Sequence, residues 1–193
     1  SPAAAAKAGD VERLWGAPAG TRLFCWCILR EGTYEQDILR AQLNNNAGIF
    51  ACDDYQTFSE RAFALGPGVE TFGIGALTST RGGTGPLATS SWVNSDAFLR
   101  AWAVVRSSGR YAAADWVVKV DPDTVLIPSV LRDHLVSRGL NGPVNLYLPN
   151  CAGVRDGFYG SIEAMSAQAA ARFFDNIDRC KQTLPYAGWG EDL

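Results

Sequence analysis

Asp115-Trp116-Val117-Val118-Lys119-Val120-Asp121-Pro122-Asp123-Thr124 is the stretch on which the reading of this chain turns. Its apolar run is near-continuous, as expected of a strand buried on both faces of a parallel sheet. Two carboxylates follow at once, and residues i and i+2 of an extended backbone point to the same side. Asp121 and Asp123 can therefore converge on one hard cation, with Mg²⁺ or Mn²⁺ filling its remaining positions from phosphate oxygens. The carboxyl end of a parallel strand is also where open α/β sheets bind ligands. The competing reading is a plain Asp-Pro-Asp turn whose carboxylates accept bonds from nearby N–H groups. Lys119 shares a face with Asp121 and is placed to pair with it.

Outward from that segment, strands alternate with helices. Arg22–Arg30 is a second continuous apolar run, and Tyr34–Asn44 carries helical spacing that closes at Asn44-Asn45-Asn46-Ala47-Gly48. Gly48–Cys52 reads as the next strand, ending at the acids Asp53 and Asp54, so the opening is a β-α-β unit. Val69–Ile74 is a further strand, and residues 75–94 form a Gly-, Ser- and Thr-rich loop that reads either as a binding loop or lid or as a disordered solvent loop. A helix starts at Ser95, and Pro128 opens another through Val136. Pro143–Leu148 and Gly157–Ile162 read as strands, and Ser166 caps an Ala-rich helix to Ile177, with an irregular stretch from Cys180 to Leu184. The fold class is α/β, a mostly parallel Rossmann-like sheet flanked by helices. Residues 1–20 read as an N-terminal arm or linker and 21–193 as a single domain.

Composition narrows the function classes. The chain has 193 residues, 47% of them hydrophobic and 19% charged, with a formal net charge of −3. That balance excludes a disordered chain. A pI near 5.1 argues against nucleic acid, which demands a concentrated positive footprint. No apolar stretch approaches the roughly 18 residues that span a bilayer. His134 is the single histidine, so no zinc site of ordinary spacing can be written, and it reads as a surface or interhelix residue. The five cysteines allow a bridge from Cys25 or Cys27 to Cys52 and another from Cys151 to Cys180 in an oxidising lumen, or else buried free thiols. Trp15, Trp26, Trp102 and Trp116 lie in apolar runs and read as core, whereas Trp92 and Trp189 sit in loops suited to stacking on a sugar; Arg81, among glycines, is placed to grip a phosphate.

Three segments in order give these residues a family likeness. Trp116 through Leu131 resembles the W-x-x-K-x-D-D-D-T segment of fringe-like β-1,3-glycosyltransferases, with Pro122 in place of the middle acid. Asp156–Ser166 resembles their G-G-A-G-x-x-x-S segment, with Phe158 and Tyr159 in place of the small pair. Gly188–Leu193 resembles their G-G-x-E-D-V segment. The resemblance covers roughly residues 95–193 and implies a GT-A-like fold, a Mn²⁺ or Mg²⁺ cofactor, a nucleotide-sugar donor and a glycan or glycoprotein acceptor. It further implies inverting transfer in the Golgi lumen or outside the cell. Asp123 is then the direct metal ligand, and Asp121 reaches the ribose or the metal. Tyr159, Gly160 and Ser161 line the sugar-nucleotide pocket. Asp192 is the base, with Glu191 as its substitute, and Asp53 and Asp54 face the nucleotide. On this reading the domain is expected to be C-terminally incomplete, because the chain ends just after its base.

Two rival readings fit parts of the pattern. One is a catalytically inactive GT-A-like domain that binds carbohydrate or a protein assembly partner, which Phe158 and Tyr159 in the pocket favour. The other is a haloacid-dehalogenase-like phosphatase with Asp121 as nucleophile and Asp123 as acid/base. Against it, Thr124 stands where Gly is usual, and little chain remains for its later elements.

Overall fold

The computed structural model describes residues 21–78, 93–153 and 157–184. Strands β1 (Leu23–Ile28), β2 (Asp54–Ser59), β5 (Phe72–Gly73), β6 (Trp116–Val120) and β7 (Ile162–Ser166) form a five-stranded sheet in the order β5-β2-β1-β6-β7. β1 runs parallel to both β2 and β6, β5 is parallel to β2, and only β7 is antiparallel to its neighbour. The protein is thus α/β with a mostly parallel, Rossmann-like sheet. A small hairpin of β3 (Ala64–Gly66) and β4 (Val69–Glu70) stands apart from it.

Among the described residues four helices cover the sheet: α1 (Tyr34–Asn44), α2 (Ser95–Ser108), α3 (Pro128–Ser137) and α4 (Ala167–Thr183). The period-2 alternation of the central strands feeds two separate cores. Cys25 and Cys27 of β1 and Val118 and Val120 of β6 pack with Leu39 of α1 and Leu135 of α3. Phe24, Trp26 and Val117 pack on the opposite face with Trp102 and Val105 of α2 and Phe174 of α4. All five residues of β6 are buried, which accounts for its continuous apolar run. Trp26, Trp102 and Trp116 are core residues, and His134 is exposed. Ser166 caps α4 by accepting from the Ala169 N–H.

Four expected elements differ. Gly48–Ala51 is a 3-10 turn rather than a strand, because Asn46 (φ 48°) and Gly48 (φ 58°) are left-handed and the chain cannot extend through them. Ile49 and Phe50 are still buried, so a short apolar run could not distinguish turn from strand. Val69–Ile74 divides between two strands in different sheets. Pro143–Leu148 is reduced to a single bridge between Tyr147 and Met165. The strand expected at Gly157–Ile162 lies instead at Ile162–Ser166, since the Asn150 side chain bonds Tyr159 and Ile162 and holds the preceding residues as a loop. Helix α4 also runs on to Thr183, through the stretch expected to be irregular.

Cys25 and Cys52 form a disulfide that ties β1 to the turn before β2. Cys27, Cys151 and Cys180 are free, so the second expected bridge is not made; Cys151 sits in a loop while Cys180 is carried along α4. Among the described residues no helix is long and apolar enough to cross a membrane.

Candidate functional site

Because β1 and β6 are parallel neighbours, the segments that follow them share one edge of the sheet. Asp121 leaves β6 with its N–H bonded to Ser161 O (3.0 Å), and Thr124 N–H returns to Asp121 O (3.0 Å) to close a turn around Pro122. Lys119, completely buried, aims its ammonium along the same face: Nζ lies 2.7 Å from Asp121 Oδ1, donates to Gly160 O, and sits 4.3 Å from the centre of the Phe98 ring. A buried ammonium is tolerated only with such partners, so Lys119 is the pin that fixes one oxygen of Asp121.

The other wall comes from the residues after β1. Glu35 Oε2 accepts the Arg30 N–H (2.7 Å), and Thr33 Oγ1 donates to Arg30 O (2.9 Å), which folds the chain sharply into α1. Tyr34 Oη then donates to Asp123 Oδ2 at 3.0 Å. Arg30, Tyr34, Glu35, Phe98, Asp121 and Asp123 are among the residues lining a cleft of about 290 Å³. That volume is at the lower limit of small-molecule pockets. Burial pushes the Glu35 carboxyl above the usual carboxylate range, with Asp123 and Asp121 adding to the rise and Arg30 opposing it. The hydrogen bond to Asp123 raises the Tyr34 hydroxyl. Beneath the cleft, burial pushes the Cys27 thiol far up, so it is a neutral packing group rather than a nucleophile.

The structure brings Asp121, Asp123, Gly160 and Ser161 to this edge. Gly160 and Ser161 reach it through main-chain oxygens: Gly160 O takes Lys119 and Ser161 O takes the Asp121 N–H. Tyr159 is bonded at both its N–H and its O by Asn150 instead, and none of the three residues expected to line the pocket borders the cleft. Asp53 and Asp54 go elsewhere. They were expected at the carboxyl end of the second strand, but they precede and begin β2, at the opposite edge of the sheet. Asp53 Oδ2 accepts the Leu23 N–H at 2.7 Å and pairs with the buried Arg132 at 2.9 Å. Asp54 pairs with Arg110. Asp53 holds the amino edge, while the Asp54–Arg110 pair is exposed, and the shift of both follows from the 3-10 turn that occupies residues 48–51. A wider cleft of about 800 Å³ beside Asp54, Phe72 and Arg110 is remote from the Asp121–Asp123 turn. Glu191, Asp192, Trp189, Trp92, Trp15 and Arg81 lie outside the described residues.

Tyr34, Glu35 and Arg30 were not picked out from the sequence. The signal available was topological: if two apolar strands are parallel neighbours, whatever follows the first borders whatever follows the second.

The donor set suits a divalent cation of the Mg²⁺ or Mn²⁺ kind. Asp121 commits Oδ1 to Lys119 and Asp123 commits Oδ2 to Tyr34, so each carboxylate retains a second oxygen. Among the described residues no three acidic, His or Cys side chains converge as a metal cage. Two protein carboxylates, with water and phosphate oxygens completing the shell, is the pattern by which Mg²⁺ is usually bound. No family model and no curated protein matches the chain.

Proposed function

We propose that the chain is a metal-dependent inverting glycosyltransferase domain of the fringe-like kind, moving a sugar from a nucleotide-sugar donor to a glycan or protein hydroxyl. The observation that supports this most is the meeting of the Lys119–Asp121 segment with Gly160 and Ser161. Two segments that resemble the family separately in sequence meet at the carboxyl end of β6, joined by the Lys119–Gly160 bond across 41 residues and by the Asp121 N–H on Ser161 O.

On this reading Asp121 and Asp123 hold the cation at the cleft mouth. The metal supplies positive charge that stabilises the departing diphosphate. Lys119 orients Asp121 and adds a second positive charge beneath the same carboxylate. The Gly160 and Ser161 carbonyls are occupied by Lys119 and the Asp121 N–H, so this segment acts by shape and position. Asp192 or Glu191 takes the acceptor hydroxyl's proton as general base. The Cys25–Cys52 disulfide is compatible with a lumenal or extracellular setting, where such bonds persist.

Calorimetry with Mn²⁺ and a panel of UDP- and GDP-sugars tests the reading. Binding should require the metal and should vanish in Asp123→Asn, while Asp192→Asn should keep donor binding and lose transfer. Absence of any metal-dependent heat across the panel would overturn it.

A further inference from the structure

We infer that Tyr34 is a positioning residue for Asp123, and that helix α1 is the strut which aims the exposed half of the acidic pair. This deepens the metal-site reading above and rests on it. The two carboxylates differ in what fixes them. Asp121 leaves a buried strand and is pinned by the fully buried Lys119. Asp123 follows Pro122 on an exposed turn, where an aspartate side chain is free to swing among its rotamers. Its described partner is the Tyr34 hydroxyl at 3.0 Å, reaching across 89 residues of sequence.

Helix α1 is itself held against that turn. Gln42, two turns along the helix, donates Nε2 to Pro122 O at 3.3 Å, the residue between the two acids. The amino end is fixed by Glu35 and Thr33 on the Arg30 main chain and by Gln36 Oε1, which accepts the Gly32 N–H at 2.7 Å. A phenol on a helix anchored at both ends is a stiff donor, losing little freedom when it bonds. It takes one oxygen of Asp123 and leaves the other turned to the cation, the arrangement by which hydrogen bonds to ligating carboxylates orient them. Tyr34 is 59% exposed and belongs to neither core cluster, so its hydroxyl rather than apolar packing is what it brings to the turn.

Tyr34→Phe removes the hydroxyl alone, and the full chain should be titrated with Mn²⁺ alone and with Mn²⁺ plus UDP, following free Mn²⁺ by electron paramagnetic resonance. Affinity should fall about tenfold, the lower end of what loss of such a bond to a ligand costs, with an unchanged melting temperature. Mn²⁺ should also give a tyrosine ultraviolet difference signal in the wild type that is missing in Tyr34→Phe, a signature a structural role would not produce. Equal affinity in the two proteins, or a difference signal that persists in the variant, overturns the inference and leaves the metal site standing. A wild type that binds Mn²⁺ neither alone nor with UDP overturns the metal site and the inference together.

Discussion

Neutralising Asp121 and neutralising Asp123 should have very different effects on stability, although the two lie side by side in sequence and look equivalent there. Asp121 faces an ammonium with no solvent exposure at 2.7 Å, and its own side chain is 34% exposed. Removing one partner of a fully buried ion pair costs about 3–5 kcal/mol, because the other charge is stranded. Here water reaches one side of the carboxylate, Gly160 O still accepts from Nζ, and an asparagine oxygen still accepts a neutral bond. Those three reductions bring the expected cost of Asp121→Asn to about 2–3 kcal/mol. In a chain of this size that is a drop of about 4–12 °C in melting temperature. Asp123 is exposed and among the described residues bonds an exposed phenol, so Asp123→Asn should stay within about 0.5 kcal/mol of wild type. Lys119→Met in the Asp121→Asn background should restore most of the loss, since the stranded charge is then gone. Urea unfolding of the four proteins, with the slope m checked for constancy, measures all of this. If Asp121→Asn and Asp123→Asn unfold at the same midpoint, Lys119 is not held as described and the pinning argument is wrong.

Two further outcomes follow from the opposite edge of the sheet and from the thiols. Asp53→Ala should cost about 2–3 kcal/mol, because Arg132 loses its carboxylate and the Leu23 N–H its acceptor, while the folded variant keeps nucleotide affinity; a stable variant with lost affinity would return Asp53 to the ligand site. Breaking Cys25–Cys52, which closes a loop of 27 residues, should lower stability by about 3.5 kcal/mol, and the denatured, unreduced chain should titrate as the three thiols Cys27, Cys151 and Cys180; a single reactive thiol would mean a second bridge.

What proved legible in the sequence was periodic or local. The apolar run at β6, interrupted only by Lys119, required burial on both faces, and with the flanking helical spacings it implied a parallel α/β sheet. Helix α1 begins and ends where its spacing and its closing asparagines put it, and Pro128 opens α3. Gly48–Cys52 failed because four apolar residues carry no usable period, and the left-handed Asn46 and Gly48 are settled by packing of Ile49 and Phe50 beneath β1. That one difference moved Asp53 and Asp54 from the carboxyl end of a strand to the amino edge, where Asp53 meets Arg132 and the Leu23 N–H and Asp54 meets Arg110.

The sequence alone determined the sheet type, the position of the Asp121–Asp123 turn at a strand's carboxyl end, and the pairing of Lys119 with Asp121, since each depends on spacing of one or two residues. Only the tertiary structure decided which remote residues share that edge. Strand order set β1 beside β6, and this brought Tyr34 to Asp123 and Gly160 to Lys119. Spacing along a chain reports which way a side chain points; which partner it meets depends on how the strands are ordered, and that is fixed by burial of the whole sheet at once.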